Sequence, residues 1–458
     1  MRLTILGGGG FRVPLVYQAL LGDRGEGRIT SVTLYDTDRS RLASIGAVLR
    51  QQAASASAGS ADPAGSWVGE APVVTETTDL DEALRGADFI FSAIRVGGLE
   101  GRTIDERVAL DLGVLGQETV GAGGIAYGLR TLPVATAIAR RIAAVAPDAW
   151  VINFTNPAGM VTEAMLPYLG DRVIGICDSP SGLGRRAAQA LGLDASQVFY
   201  DYAGLNHLGW LRGLQSGGVD RLPDLLADSS ALGAFEEGRL FGVEWLRSIG
   251  SIPNEYLHYY YFARETLAAV QSVEQTRGTF LLEQQSAFYA ETARNPSTAL
   301  EQWQKTRAER ESTYMVESRE IADAGERDER DMSAGGYEQV ALSLMRAIAH
   351  NERASLILNV RNRGTLHHLD DDAVVEIPCT VDANGARPLT VSQLTDHQAG
   401  LVCAVKAVER STIEAAATGS RALAVRAFAW HPLIDSVTAA HQLLDSYVEH
   451  LPDLAAFR

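Results

Sequence analysis

The chain has 458 residues, 46% hydrophobic and 21% charged, a composition that suits a globular protein of two domains or of one domain with a second lobe. It carries 40 Lys and Arg against 57 Asp and Glu, a formal charge of -17, which argues against a nucleic-acid surface or an anionic membrane as its partner. Three cysteines (Cys177, Cys379 and Cys403), no apolar run of membrane-spanning length and an N-terminus that opens directly on a strand predict a cytoplasmic protein without disulfides.

The first half alternates strand and helix. Residues 3–6 form an apolar strand that stops at Gly7-Gly8-Gly9-Gly10, and residues 11–21 then have helical spacing. The next strand, 32–35, ends in Asp36. In a dinucleotide-binding fold such glycines let a pyrophosphate approach the backbone at a helix N-terminus, and the acid bonds a ribose hydroxyl. Gly7 and Gly9 fit the first half of that fingerprint, while Arg12 stands where its third glycine would be. Asp36 favours NAD over NADP, with Arg39 and Arg41 nearby keeping the choice open. Residues 51–69, rich in Ala, Ser and Gly, read as a helix end and a loose surface connection.

Strands are predicted at 73–77, 88–94, 150–154 and 173–176, with helices from Asp81, across 105–112, across 130–145 and across 160–169. The alternation predicts a Rossmann-type, doubly wound parallel sheet. Arg95, Glu118, Asn156 and Cys177 all fall at or just after strand ends, where such sheets bind ligands. The glycines of residues 116–124 imply backbone lying close to a ligand.

The pattern changes after Ser179. A helix over 182–191 precedes two strands, 198–204 and 208–211, that flank Asn206-His207. Residues 253–262 are dense in aromatics and read as core. Residues 296–330 are highly charged and read as a solvated helix or an excursion. A helix at 340–348, strands at 355–360 and 374–382, and a helical last sixty residues complete the chain. Cys177 at a strand end, with His207 thirty residues on, suggests a transition-metal site.

Seven motifs, in order, carry a resemblance from Met1 to about Leu444. They are Gly8-Gly9-Gly10 with Phe11-Arg12; Arg95-Val96-Gly97-Gly98; Gly116-Gln117-Glu118-Thr119; Asn153-Phe154-Thr155-Asn156-Pro157; Cys177-Asp178-Ser179-Pro180; Gly204-Leu205-Asn206-His207; and Tyr256-Leu257-His258-Tyr259-Tyr260. On these the chain resembles the NAD- and divalent-metal-dependent glycosidases of glycoside hydrolase family 4. The resemblance implies an NAD-binding domain over residues 1–178 and a substrate-, metal- and oligomer-forming α+β domain over 179–458, in a lactate/malate-dehydrogenase-like arrangement. It implies hydride removal from sugar C3, deprotonation at C2, elimination of the C1 substituent, water addition and return of the hydride.

Residue by residue, the resemblance makes Cys177 and His207 ligands of a divalent metal, manganese by expectation. Tyr256 becomes the C2 base, Asp178 the leaving-group acid, and Glu118 a residue that holds water or assists proton transfer. Gly8, Gly9, Gly10, Phe11, Arg12, Asp36 and Asn153 are expected at NAD. Arg95, Asn156, Asn206 and Arg277 are expected at the substrate, with Arg277 on its 6-phosphate. Asp178 after the cysteine leans towards α-specific members. Asn359-Val360-Arg361-Asn362-Arg363-Gly364, residues 374–379 and residues 128–133 lean towards the phospho-β-glucosidases, where an arginine replaces His258. The resulting expectation is a 6-phospho-β-glucosidase acting on a phosphorylated disaccharide or aryl glucoside, as a homodimer or homotetramer. The alternatives are a 6-phospho-α-glucosidase or another glycosidase of the family, and, from another class, an NAD-dependent 2-hydroxy-acid dehydrogenase.

Overall fold

The computed structural model describes residues 1–458 apart from Arg24, Glu26, Glu274 and the segments 60–69 and 326–335. Parts of the expected surface connection at 51–69 and of the charged segment at 296–330 therefore lie outside the described residues.

Six strands build the parallel half: β1 (Arg2–Leu6), β2 (Ser31–Tyr35), β3 (Val73–Thr77), β4 (Phe89–Ser92), β5 (Trp150–Asn153) and β6 (Val173–Gly175). They lie side by side in the order β3-β2-β1-β4-β5-β6. Leu3, Ile5, Val32, Leu34, Ile90, Val151 and Ile174 are buried, as strands covered by helices on both faces require. The order reverses between β1 and β4, so a crevice opens there beyond their C-terminal ends.

The second half makes no sheet of its own. Its strands are β7 (Phe199–Leu205), β8 (Leu208–Ser216), β9 (Val219–Asp220), β10 (Ile252–Pro253), β11 (Ala354–Arg361), β12 (Val374–Asp382) and β13 (Gly385–Pro388). β11 pairs antiparallel with β6 through Asn359 and Gly175, and β12, β7, β8 and β10 continue the same sheet. β7 and β8 form a hairpin whose two-residue turn is Asn206-His207. His207 has φ +62, a left-handed conformation that disfavours a residue with a Cβ and needs the surrounding packing to hold it.

Two expectations are corrected. The helix expected from residue 130 begins at Gly121 and runs to Val145. Its glycines serve packing within the helix start: a Cβ on Gly123 would lie 2.1 Å from the Gln117 carbonyl oxygen, and one on Gly124 2.5 Å from that of Thr119. The described part of 296–330 is no solvated excursion. Helices Ala299–Ser312 and Val316–Ile321 return to the body, where the buried Trp303 indole donates to the Phe11 carbonyl at 2.8 Å.

The helix Gly98–Asp111 is clamped to Gly121–Val145 by a buried pair, Arg130 Nη1 donating to Asp105 Oδ1 at 2.6 Å. Arg130 Nε also reaches the Val96 carbonyl at 3.1 Å, which fixes the turn after β4. C-terminal helices Asp396–Thr418, Arg421–Trp430 and Val437–His450 close the structure, with the Tyr447 hydroxyl donating to the Asp105 carbonyl at 2.8 Å. Among the described residues no helix is long and apolar enough to cross a membrane.

Candidate active site

A cavity of about 970 Å³ lies at the C-terminal edge of the parallel strands. One end is built by the glycine turn. Gly7 has φ +81, and a Cβ there would sit 2.5 Å from the Ala93 carbonyl oxygen. The Gly9 amide donates to Asp36 Oδ2 at 3.0 Å. Helix Val13–Gly22 starts from Arg12 with no side-chain cap and no acid in its first turn, and Gly10, Phe11, Arg12 and Val13 line the cavity. An uncapped helix N-terminus beside a strand-end carboxylate fits the pyrophosphate and ribose of NAD. Gly8 and Gly9 lie behind this wall as the turn that shapes it. Asn153 does not reach the cavity: its amide is spent on Thr162 Oγ1 at 3.0 Å and on the Thr155 and Ala158 carbonyls, and its carbonyl accepts from the Thr155 amide.

The Arg12 guanidinium lies 4.6 Å from the Tyr337 ring centroid and 3.8 Å from the Asp178 carboxylate. Arg12 therefore bridges the glycine turn and the end of β6, and it pairs the carboxylate expected to act as an acid.

Cys177 follows the end of β6, and His207 comes from the β7–β8 turn. Cys177 is buried just behind Asp178, and burial, then the carboxylates of Glu376 and Asp178, push its thiol well up. His207 lines the cavity, and burial lowers its pKa to about 4, so the imidazole is neutral. Its Nδ1 is 2.9 Å from Thr119 Oγ1. A thiol that a cation would deprotonate and a neutral imidazole fit a first-row divalent metal. Among the described residues no three His, Cys, Asp or Glu side chains converge. Asn206, expected at the substrate, turns its amide to Glu376 Oε1 at 3.1 Å. Asn359 donates to the same oxygen at 2.8 Å, and Tyr202 to Oε2 at 3.3 Å. Burial raises Glu376 to about 7 against these three donors.

The Tyr256 ring stacks on His207, centroids 3.7 Å apart and planes 8° apart. Tyr256 is presented by the 3-10 turn Glu255–Leu257, which Asn254 caps by accepting from the Tyr256 amide at 3.1 Å. The Tyr314 hydroxyl donates to the Tyr256 hydroxyl at 3.1 Å. Burial, then Tyr314 and Glu255, hold the Tyr256 phenol well above its ordinary range.

Arginines line the remaining wall. Glu118 is gripped by Arg102 and Arg95. Burial would raise it, but the two guanidiniums hold it far below the usual carboxylate range, which suits an orienting anion rather than a proton carrier. Arg277 directs Nη1 to Thr313 Oγ1 at 2.6 Å and Nη2 to the Arg310 carbonyl at 2.7 Å. Arg310 also lines the cavity, and burial with the charges of Arg12, Arg277 and Arg102 pushes it down to about 9. Such a like-charged group calls for an anion. Arg95 and Asn156 line the same cavity.

Sequence reasoning missed Arg102, Glu255, Arg310, Tyr314 and Tyr337. Arg102 lies just before the helix expected across 105–112, and Arg310 and Tyr314 lie in a stretch whose charge masked its role.

The fold and site define an enzyme of the dinucleotide-binding α/β class, with His207 lining its crevice and Cys177 buried behind Asp178. The chain belongs to family 4 of the glycosyl hydrolases: residues 2–193 match that family and residues 202–434 match its C-terminal domain. It is 34% identical over 381 residues, 81% of either chain, to a probable 6-phospho-beta-glucosidase of Bacillus subtilis. It is 30% identical to 6-phospho-alpha-glucosidase 1 of Lacticaseibacillus paracasei, over 81% of this chain and 82% of that one. The 6-phospho-beta glucosidase of Thermotoga maritima, solved with manganese, NAD+ and glucose-6-phosphate, matches 99% of both chains at 27% identity and a TM-score of 0.79.

Proposed function

We propose that the protein hydrolyses 6-phospho-β-glucosides by reversible oxidation of the sugar, with NAD and manganese. The observation that supports this is the stack of Tyr256 on His207, the two residues read here as C2 base and metal ligand. When bound, NAD supplies a hydride acceptor for C3, and the metal a Lewis acid for the oxygens on C2 and C3. The chain's own residues do the rest. Cys177 and His207 hold the metal, and Thr119 orients the imidazole. Tyr256 takes the C2 proton while Tyr314 keeps a hydrogen bond on its oxygen. Arg95 and Asn156 face the sugar hydroxyls, and Glu118 steers Arg95 and Arg102. Arg277 and Arg310 hold the 6-phosphate. Asp178, paired with Arg12, ties the NAD end to the metal end. Residues 1–178 serve as the NAD-binding domain, and residues 179–458 supply substrate, metal and subunit contacts.

The β assignment is supported by the segments Asn359-Val360-Arg361-Asn362-Arg363-Gly364 and 374–379. A cytoplasmic homodimer or homotetramer, with a phosphorylated disaccharide or aryl glucoside as substrate, completes the proposal. The test is hydrolysis of 4-nitrophenyl 6-phospho-β-glucoside, its α anomer and the unphosphorylated β-glucoside, with NAD and manganese added or withheld. Cleavage of the phosphorylated β anomer only when both are present is expected. Net NADH accumulation, or cleavage without NAD, overturns it.

A further inference from the structure

Beside Tyr256, on the same 3-10 turn, lies a carboxyl that the family motifs do not use. Glu255 lines the main cavity and is 6% exposed. Its Oε1 accepts the Ser179 hydroxyl at 2.5 Å, and its Oε2 is buried without a hydrogen-bond partner. Ser179 is the first residue of helix Ser179–Ala190, directly after Cys177 and Asp178. One oxygen of the carboxyl is therefore anchored on the residue that follows Cys177 and Asp178, and the other is buried without a partner.

Its charge environment differs from that of the neighbouring carboxyls. Glu118 is gripped by two arginines, and Asp178 is paired with Arg12. A cation near Glu255 is Arg186, whose Nε donates to Glu237 Oε2 at 3.0 Å and whose Nη2 reaches Glu237 Oε1. Among the described residues, titratable groups that interact electrostatically with Glu255 include Glu237, Arg186, Cys177, Tyr202, Tyr256 and Tyr314. Burial, then Glu237, pushes the carboxyl up, and a buried carboxyl oxygen without a hydrogen-bond partner favours the protonated form. A buried, protonated carboxyl with an oxygen that nothing in the chain engages is the form a general acid needs.

We propose that Glu255 is a further catalytic residue, the acid that protonates the departing glycosidic oxygen. The assignment rests on the glycosidase reading above. Tyr256 addresses C2, and the adjacent residue of the same turn addresses C1. In the elimination step Tyr256 removes the C2 proton, and the electron pair left at C2 forms the C1–C2 double bond. The C1–O bond breaks, its electrons go to the leaving oxygen, and that oxygen takes the Glu255 proton. When water adds, its oxygen bonds C1, its proton restores Glu255, and Tyr256 returns a proton to C2. Both residues end as they began.

Leaving-group dependence of the NAD- and manganese-loaded enzyme tests this. A good leaving group needs little protonation, and a poor one needs it fully. For Glu255→Gln, which keeps a hydrogen-bonding group beside Ser179, kcat/KM is expected to fall on the order of 100-fold on methyl 6-phospho-β-glucoside and at most about threefold on the 4-nitrophenyl compound. Glu255→Asp is expected to recover part of the loss on the methyl glucoside alone. Equal losses on both substrates mean a structural role and overturn the assignment. Should Glu255→Gln fail to fold, Ser179→Ala keeps the carboxyl and removes its anchor; a loss larger on the methyl glucoside supports the proposal, and an equal loss overturns it. Wild-type enzyme that cleaves neither glucoside sinks the substrate reading, and the acid with it. Wild-type enzyme that cleaves both, with variants losing equally, sinks the acid alone.

Discussion

The Tyr314 hydroxyl donates to the Tyr256 hydroxyl at 3.1 Å, while the other face of Tyr256 lies on the His207 imidazole. A buried phenol is a reluctant base. Once Tyr256 has given up its proton, the Tyr314 hydroxyl remains as a hydrogen-bond donor to the oxygen that lost it. Tyr256→Phe is expected to lower kcat by about 100-fold or more, the range for losing a general base. Tyr314→Phe is expected to cost roughly tenfold, the worth of one hydrogen bond. Steady-state kinetics on the 4-nitrophenyl substrate reads both.

The bond between Thr119 Oγ1 and His207 Nδ1 leaves Nε2 free of that contact, and in the proposed reading Nε2 takes the metal. Removing such an outer partner typically costs about 10–100-fold in metal affinity. Thr119→Val is therefore expected to raise the manganese concentration needed for half-maximal activity by about that factor, with excess manganese recovering much of the rate. Cys177→Ser and chelation by EDTA are expected to remove activity at every ordinary metal concentration.

Arg310 is crowded by Arg12, Arg277 and Arg102. A dianionic phosphate relieves that crowding through charge-assisted hydrogen bonds, each worth about 1.5–3 kcal/mol. Arg310→Ala and Arg277→Ala are each expected to raise KM for the phosphorylated glucoside on the order of tenfold or more, with a smaller effect on kcat. Any residual rate on the unphosphorylated glucoside is expected to shift little. Parallel losses on both substrates would place these arginines outside the phosphate site.

Burial lowers the pKa of His258 and His431 from 6.5 to about 4. The unfolded chain then binds protons near pH 6.5 that the native chain refuses until about pH 4. Their stability contribution is complete above the unfolded value and is lost as pH falls through that window, on the order of 3 kcal/mol for each imidazole. Thermal melts from pH 7.5 down to 4 are expected to show Tm falling below about pH 6.5. His431→Gln is expected to flatten the slope.

Much of the NAD end was legible because parallel strands announce themselves as apolar runs, and their ends hold Gly10, Asp36, Arg95, Asn156 and Asp178 within a few residues of the run. The hairpin around His207 was legible for the same reason. What escaped depends on distant pairing. Glu376 meets Asn206 because β12 inserts between β7 and β11, a neighbour relation that no local pattern encodes. Tyr314 and Arg310 return to the cavity from a stretch that reads as solvated charge. Asn153 shows the opposite failure: a strand-end amide in a family motif looks free for a cofactor, but the turn after β5 uses its donors and its acceptor.

The central claim is that the bond at C1 is broken through loss and return of the C2 proton at Tyr256. Hydrolysis of a 6-phospho-β-glucoside in deuterated water, with NAD and manganese, measures it directly when the product is read by NMR at C2. Deuterium at C2 of the released glucose 6-phosphate, with none in unreacted substrate recovered after removal of NAD, is the expected result. Product that keeps its original C2 proton throughout would contradict the account.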